Sequence, residues 1–170
     1  MMRILILGCA GSGKTALAQR LGRETTLPVI TLDAIWKGRL SRADLPAFRA
    51  LVTEAHAGDS WISDGNFAAA TFEIRLPRAD LIVWLERSRL LCAWRAIRRA
   101  ISSDAVHHFR DLPEVLAFIW NFERVNRPII ESARLAHGPC VPVVHLADDE
   151  AIADFVRDLR NRTSRSSPSK

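Results

Sequence analysis

The sequence has few cysteines and no long apolar run, and both absences narrow the class of protein. Its three cysteines, Cys9, Cys92 and Cys140, lie far apart and form no Cys-x-x-Cys pair, which argues against a zinc site or a disulfide framework. No apolar stretch approaches the roughly 18 residues that a membrane span needs, and the apolar run before Gly8 is shorter than that of a signal peptide. We therefore expect a cytoplasmic protein without a membrane partner.

Glycine and proline are also scarce, with 8 of each in 170 residues. Of the whole chain, 48% is apolar and 25% is charged, which is the composition of a folded globular domain. The sequence contains no internal repeat and no linker that would divide the chain. We predict a single domain over residues 1–160 and a disordered basic tail over residues 161–170, because that tail is rich in serine and has no acidic residue.

The net charge of +5 is concentrated in two segments. The tail contributes three positive charges, and residues 87–110 carry six arginines against a single aspartate, so the rest of the chain is net negative. A protein that binds DNA over a broad face would spread its basic residues more widely. Nucleic acid is therefore a weakly supported partner.

Short apolar runs alternate along the chain with stretches of helical periodicity. The apolar runs predict strands at residues 3–7, 28–32, 61–63, 81–85 and 141–146. The periodic stretches predict helices at residues 14–22, 44–57, 88–101, 112–135 and 149–160. Strands that are apolar on both faces are typical of a buried parallel sheet. The pattern therefore predicts an α/β fold in which helices cover both faces of a parallel sheet.

A glycine-rich turn joins the first predicted strand to the first helix. It satisfies the pattern Gly-x-x-x-x-Gly-Lys-[Ser/Thr], in which backbone N–H groups and the amino end of the helix surround a phosphate. Lys14 is expected to reach the β- and γ-phosphates, and Thr15 to ligate Mg²⁺. The sequence therefore predicts a site for a nucleoside triphosphate, formed by Gly8, Cys9, Ala10, Gly11, Ser12, Gly13, Lys14, Thr15 and Ala16.

Two aspartates follow the second and third predicted strands. The carboxyl ends of parallel strands border the ligand crevice of an open sheet, so Asp33 and Asp64 should face the bound phosphates. One carboxylate would hold Mg²⁺, and the other would orient an acceptor hydroxyl or take its proton. A helix cap or an Asx turn is the alternative for each aspartate. Glu86, which follows the fourth strand, is a third candidate for the metal.

The predicted helix at residues 88–101 is the candidate source of cations for the transferred phosphate. Its wheel shows an apolar face that a stripe of arginines borders on one side. Arg95 and Arg98 are the members that we expect over the γ-phosphate, where they would stabilise developing charge. The alternative is a solvated helix whose arginines cover apolar surface. The apolar face consists of Leu90, Leu91, Trp94, Ile97 and Ile101.

A polar gap at residues 102–111 follows this helix and is a candidate for a mobile flap. Its two adjacent histidines are expected to be exposed, and it contains no zinc pattern. Beyond the gap, Arg127 is a third candidate for contact with the phosphates. Salt bridges with Glu123 or Glu131, which are one helical turn away on either side, are the alternative for Arg127.

The order of these segments resembles the adenylate-kinase-like P-loop kinases, and more closely their bacterial branch called DNA topology modulation (FlaR-like) proteins. The resemblance covers residues 2–158. It implies a three-layer P-loop fold with five parallel strands, a small arginine-bearing helical lid at about residues 95–127, and an acceptor bound over the strand ends. The stretches that carry it are ILILGCAGSGKTALAQRLG, LPVITLDAIW, SWISDGNF, RLPRADLIVWLE, WNFERVNRPII and VVHLADDEAIADF.

The resemblance also implies roles for single residues. WISDGNF is similar to the strand that ends in Asp-Gly-Phe-Pro-Arg in adenylate kinases, which favours Asp64 as the Mg²⁺ ligand. Asp33 stands where the acceptor-binding segment begins. The Pro-Arg of adenylate kinases is missing here, so Arg75 or Arg78 is the candidate for holding an acceptor phosphate. The predicted acceptor site consists of Asp33, Trp36, Asn66 and Arg75.

The sequence as a whole predicts a kinase that uses ATP and Mg²⁺ to phosphorylate a small molecule, with a nucleotide or nucleoside as one candidate acceptor. Thr15 and Asp64 are the predicted metal ligands. The alternative is a nucleotide-dependent regulator that affects DNA topology and has little or no kinase activity. The predicted catalytic residues are Lys14, Asp33, Arg95, Arg98 and Arg127.

Overall fold

The computed structural model describes residues 1–36, 44–102 and 112–166. Its sheet has five strands, which pair in parallel in the order β2-β3-β1-β4-β5. This confirms the predicted five-stranded parallel sheet. The strands are β1 (Arg3–Gly8), β2 (Val29–Thr31), β3 (Trp61–Asp64), β4 (Leu81–Leu85) and β5 (Val143–Leu146).

Helices connect the strands. Within the described ranges they are α1 (Lys14–Thr25), α2 (Leu32–Trp36), α3 (Leu45–Ala55), α4 (Ala68–Arg75), α5 (Arg89–Ser102), α6 (Leu112–Asn121), α7 (Arg127–His137) and α8 (Asp149–Ser166). The helices α2 and α4 were not predicted. A π-helical turn at Phe122–Asn126 separates α6 from α7, so the single helix predicted over residues 112–135 is interrupted.

The central strands are apolar throughout because helices cover both faces of the sheet. Leu5 and Leu7 of β1 pack against residues of α4, α5, α6 and α7. Ile4 and Ile6 point to the opposite face and pack against α1 and α8. A smaller cluster beside β2 joins α2, α3 and α4 around Phe48. The predicted three-layer α/β/α arrangement is confirmed.

The helix α5 turns a different face to the core from the one predicted. Its buried residues are the small ones Cys92, Ala96 and Ala100, whereas Leu90 is 72% and Trp94 is 54% exposed. Small side chains allow the helix to approach the loop between β1 and α1 closely. Most of the predicted apolar face therefore lies toward solvent, and its exposed members are Leu90, Trp94, Ile97 and Ile101.

The carboxyl end of the chain is more regular than predicted. The helix α8 continues to Ser166, so the segment predicted as a disordered tail begins as a helix. Residues 167–170 lie outside the described residues, as do residues 103–111, which are most of the predicted flap and the middle part of the predicted lid at about residues 95–127. In the part of the chain that the structure describes, no helix has the length and apolar composition needed to cross a bilayer.

Candidate functional site

The loop between β1 and α1 lies at the carboxyl edge of the sheet and has a backbone that depends on glycine. Gly11 and Gly13 adopt φ angles of 76° and 100°, in the left-handed region that other residues rarely adopt. A Cβ atom added to Gly11 would lie 2.4 Å from the carbonyl oxygen of Cys92 on α5. The amino end of α1 has no side-chain cap, which is the arrangement that leaves N–H groups for an anion.

Lys14, the first residue of α1, folds back over this loop. Its Nζ atom donates hydrogen bonds to the carbonyl oxygens of Gly8, at 3.0 Å, and Cys9, at 2.8 Å. Burial lowers the pKa of Lys14, and the negative charge of Asp64 opposes that shift. The ammonium group is therefore held inside the loop, where an arriving phosphate would replace a carbonyl as its partner.

Thr15 and Asp64 form the shortest described link between the loop and β3. The Oγ1 atom of Thr15 donates a hydrogen bond to Oδ2 of Asp64 over 2.6 Å. Asp64 is only 2% exposed, and its Oδ1 atom has no hydrogen-bond partner among the described residues. Burial raises the pKa of Asp64, while the Thr15 hydroxyl and Lys14 lower it. An unsatisfied buried carboxylate oxygen is a costly arrangement unless a donor or a cation completes it.

The same two side chains fit a hard divalent cation. A hydroxyl and a carboxylate oxygen are the ligands that Mg²⁺ prefers, and Mg²⁺ in kinase sites takes one or two carboxylates together with phosphate oxygens and water. No group of three or more His, Cys, Asp or Glu residues suited to a metal occurs in the described ranges. Thr15 and Asp64 are thus compatible with Mg²⁺ that arrives with a nucleotide, and an all-protein metal cage is not found there.

The phosphate loop, Asp33 and Arg95 face one cavity of about 610 Å³. Asp33 lies in the first turn of the short helix α2 and is exposed. Burial is the main cause of the pKa shifts of Lys14 and Asp64, and the negative charge of Asp33 opposes the lowering of the Lys14 pKa and adds to the rise of the Asp64 pKa. The cavity is lined by Ala10, Gly11, Gly13, Lys14, Thr15, Ala16, Asp33, Gly65, Asn66, Phe67, Arg95, Arg99 and Phe118.

The arginines of α5 divide between the cavity and solvent. Arg95 donates a hydrogen bond from Nη1 to the carbonyl oxygen of Ser12, at 3.2 Å, and Arg99 lines the cavity one turn later. Arg98 is exposed, and its guanidinium lies over the ring of Trp94 at 5.4 Å. The predicted placement of Arg98 over the phosphates is therefore corrected, because the rotation of α5 directs Arg99 to the cavity instead.

Arg127 does not line the cavity that Lys14, Asp33 and Arg95 share. It donates hydrogen bonds to Glu86 at 2.7 Å and to Glu123 at 3.0 Å, and its guanidinium lies 5.5 Å from the ring centre of Trp84. It lines a separate cleft of about 550 Å³. The predicted contact of Arg127 with the phosphates is corrected, because its guanidinium group is paired with two carboxylates. Glu86 takes part in the same ion pair.

Two of the predicted acceptor residues do not line the cavity. Arg75 is 0% exposed, and its guanidinium donates hydrogen bonds to the hydroxyls of Thr71 and Ser63 and to the carbonyl oxygen of Gly65. Trp36 packs against Phe48, with ring centres 4.9 Å apart, and against Phe67, at 6.0 Å. Both predictions are corrected, since neither side chain meets the cavity. Asn66 does line it, although its amide group is hydrogen-bonded to Gly8.

Sequence reasoning missed several residues that line the cavity. Arg99 had a usable signal, because it follows Arg95 by four residues and so shares a face of α5. Phe67 and Phe118 come from the turn after β3 and from α6, and no motif marks them. These two rings give the cavity an apolar part of its wall.

A second cleft, of about 300 Å³, lies on the other side of the phosphate loop. Arg95 lines this cleft as well as the cavity, so its guanidinium stands between the two. The side-chain oxygen of Ser12, at the edge of this cleft, is buried without a hydrogen-bond partner among the described residues. The other lining residues are Gly13, Ala16, Leu17, Arg20, Arg87, Asp149 and Ile152.

No protein-family model matches this sequence, and no curated protein matches it. Solved structures with the same fold were found. A shikimate kinase from Bacteroides thetaiotaomicron matches with a TM-score of 0.60 and 19% identity, over 96% of this chain and 98% of that one. A shikimate kinase from Acinetobacter baumannii, in complex with shikimate, matches with a TM-score of 0.59 and 14% identity, over 99% and 96%.

A gluconokinase from Sinorhizobium meliloti 1021 matches with a TM-score of 0.53 and 16% identity, over 96% of this chain and 92% of that one. At these identities the likeness establishes the fold alone. The chain therefore has the three-layer fold of these P-loop kinases over nearly its whole length.

Proposed function

We propose that this protein, which has the fold of P-loop kinases, transfers the γ-phosphoryl group of ATP to a hydroxyl group of a small molecule. One observation carries the proposal: the phosphate loop with Lys14 and Thr15, Asp33 and Arg95 all line a single cavity, and the buried Asp64 carboxylate lies directly behind Thr15, which donates a hydrogen bond to it. The cavity joins a site for phosphates to a free carboxylate and to apolar walls. That combination suits transfer to a second substrate better than hydrolysis alone.

The nucleotide would lie along the phosphate loop. Backbone N–H groups from Gly11 to Thr15 and the amino end of α1 favour its phosphates. Lys14 would exchange its hydrogen bonds with Gly8 and Cys9 for bonds to the β- and γ-phosphates. The cleft of about 300 Å³ on the far side of the loop offers room for the ribose and base, with Arg95 between that cleft and the transferred group.

Thr15 and Asp64 would hold Mg²⁺ beside the phosphates. When bound, this ion neutralises charge on the β- and γ-phosphate oxygens. The chain's own contribution is to hold the two oxygens 2.6 Å apart, with the Asp64 carboxylate buried behind Thr15.

The acceptor would occupy the part of the cavity beyond the γ-phosphate. Asp33 is the exposed carboxylate there and would take the proton of the attacking hydroxyl. Phe67 and Phe118 would contact apolar faces of the acceptor. Arg95 and Arg99 would stabilise the charge that spreads over the transferred phosphoryl group. A nucleoside or nucleotide is one candidate acceptor, and a hydroxylated metabolite is another.

The likeness of the sequence to FlaR-like DNA topology modulation proteins stays a prediction, as does the cytoplasmic location. The neighbours of known structure give no support to a nucleic-acid partner. We therefore propose the kinase activity and do not propose the DNA-related function.

The test is a panel of acceptors supplied with Mg-ATP. The panel should include nucleosides, nucleoside monophosphates, shikimate and gluconate, and the measurement is ADP release that depends on the acceptor. Asp33→Asn should lower that rate at least about 100-fold, because it removes the base without removing the nucleotide site. Asp59→Asn is the matched control, since Asp59 is exposed before the amino end of β3. Failure of every acceptor to raise ADP release above background would refute the kinase.

A further inference from the structure

Asn66 forms a clamp on the first glycine of the phosphate loop. The N–H of Gly8 donates to Oδ1 of Asn66 at 3.2 Å, and Nδ2 of Asn66 donates to the carbonyl oxygen of Gly8 at 2.9 Å. One carboxamide therefore satisfies both backbone groups of Gly8. These contacts use one acceptor and one donor of a side chain that otherwise faces the cavity.

The position of this clamp in the sheet explains why a carboxamide fits. The parallel pairing of β1 with β3 ends at Ile6 and Asp64. Two residues further, Gly8 has no β3 partner on that side, while on the other side it still pairs with Leu85 of β4. A carboxamide has the same donor and acceptor as a peptide group. The Asn66 side chain thus takes the place of the missing strand at the residue where β1 becomes the phosphate loop.

Asn66 is itself fixed by a buried arginine. Arg75, on α4, donates from Nη2 to the carbonyl oxygen of Asn66, and from Nη1 to the carbonyl oxygen of Gly65 at 3.0 Å. The same guanidinium also donates to Ser63 at 3.1 Å and to Thr71 at 2.9 Å. Because the chain turns irregularly after β3, with Gly65 at φ 127°, these carbonyls need a donor from elsewhere.

We propose that Asn66 is a positioning residue for the phosphate loop and that Arg75 acts through it. The pair sets the affinity for the nucleotide, and the Asn66 amide does not bind the acceptor. The inference rests on the proposed function only in taking a nucleotide as the ligand of the loop. Gly8 is the residue from which the loop departs, so its orientation determines where the following N–H groups point.

The first test compares Asn66→Ala with the wild type in the absence of acceptor. Loss of two hydrogen bonds to Gly8 should weaken binding of a fluorescent ATP analogue with Mg²⁺ about tenfold or more. In a separate assay with an acceptor that the panel above identifies, the KM for that acceptor should change by less than about threefold. Asn121→Ala is the matched control, because the Asn121 amide is exposed and, among the described residues, donates to its own helix at Ala117. Unchanged nucleotide affinity in Asn66→Ala, or a raised acceptor KM alone, would overturn the proposal.

The second test asks whether the two residues act in series. Arg75→Lys keeps a positive charge but cannot fork to several acceptors, so it should weaken nucleotide binding as Asn66→Ala does. The double variant should then bind no more weakly than Asn66→Ala alone. If the losses of nucleotide affinity in the two single variants add up in the double variant, Arg75 does not act through Asn66. Should Arg75→Lys fail to fold, the Asn66→Ala comparison decides the proposal.

A third readout does not depend on kinase activity or on nucleotide. The Gly8 N–H should exchange with solvent faster in Asn66→Ala than in the wild type, whereas amides in the middle of β4 should keep their protection. Unchanged Gly8 exchange would refute the clamp. If the wild type bound no nucleotide, the proposed function would fail, and the Gly8 exchange rates would still decide whether the clamp exists.

Discussion

Replacing Gly11 by alanine should damage both stability and catalysis, because the residue is constrained twice. Its φ of 76° lies in the left-handed region, which costs a residue with a Cβ about 1–2 kcal/mol. The added Cβ would stand 2.4 Å from the Cys92 carbonyl oxygen, well inside the 3.0 Å limit below which real contacts are essentially never found. Overpacking of this kind costs about 1–3 kcal/mol. We expect a total loss of about 3 kcal/mol, or about 10 °C in Tm.

The clash partner is helix backbone, so relief requires α5 to retreat from the loop. The retreat would withdraw Arg95, which lies 3.2 Å from the Ser12 carbonyl. A misplacement of about 1 Å at a reacting group costs about 100-fold in rate, so we expect kcat/KM to fall at least tenfold.

The assays are thermal unfolding, binding of Mg-ATP and acceptor-dependent ADP release. Gly58→Ala is the control, because its added Cβ would meet only the Ser60 carbonyl at 4.0 Å. A Gly11→Ala protein that melts and binds nucleotide like the wild type would contradict the close approach of α5.

Three further outcomes follow from the same geometry. Thr15→Ala should raise the Mg²⁺ concentration that gives half-maximal activity at least about tenfold in a magnesium titration, while Thr15→Ser stays near wild type, and an equal rise in both would count against the hydroxyl ligand. Arg95→Ala should lower kcat about 10- to 100-fold, whereas Arg98→Ala should stay within about twofold; equal effects would refute the assigned rotation of α5. Burial lowers the pKa of His56 from 6.5 to about 4, so the unfolded chain binds a proton that the native state resists. The free energy of unfolding, measured with urea at each pH, should be highest above pH 6.5 and fall by up to about 3 kcal/mol towards pH 4. A His56→Gln protein that loses as much stability over this pH range would exclude His56 as the cause.

The strands and the phosphate loop were predictable because their physical requirements act along the sequence. A parallel strand covered on both faces must be apolar at each position, and β1 meets that requirement up to the glycine at which the loop begins. The loop motif itself is contiguous. The place of Asp64 beside the loop was predictable because this residue ends β3. The parallel pairing of β3 with β1 then brings it to Thr15.

The helices α2 and α4 escaped prediction because neither carries a local signal. The five residues of α2 are too few to show a helical period. The eight residues of α4 follow Phe67, which has a φ of 39° and provides no side-chain cap. Both helices pack into the cluster around Phe48 beside β2, so tertiary contacts decide their conformation.

The role of Arg75 was wrongly predicted for a related reason. Arg75 was a candidate for an acceptor phosphate because the Pro-Arg of the resembled adenylate kinases is missing, but its side chain is fully buried, which a charged group seldom is unless it is paired. Its partners are backbone carbonyls of Gly65 and Asn66, and these are free to accept only because the chain leaves β3 irregularly. That irregularity belongs to the folded backbone and has no counterpart in residue type.

The helix α5 shows how a correct inventory of residues can accompany a wrong rotation. The wheel weights large apolar side chains, and those lie on the solvent side of α5. The small residues Cys92, Ala96 and Ala100 recur every four positions, and this spacing is the signal of close approach. If the face with the large apolar side chains were buried instead, the helix would be rotated and Arg95 would point away from Ser12. The close packing that leaves Trp94 exposed is therefore also what brings Arg95 to the phosphate loop.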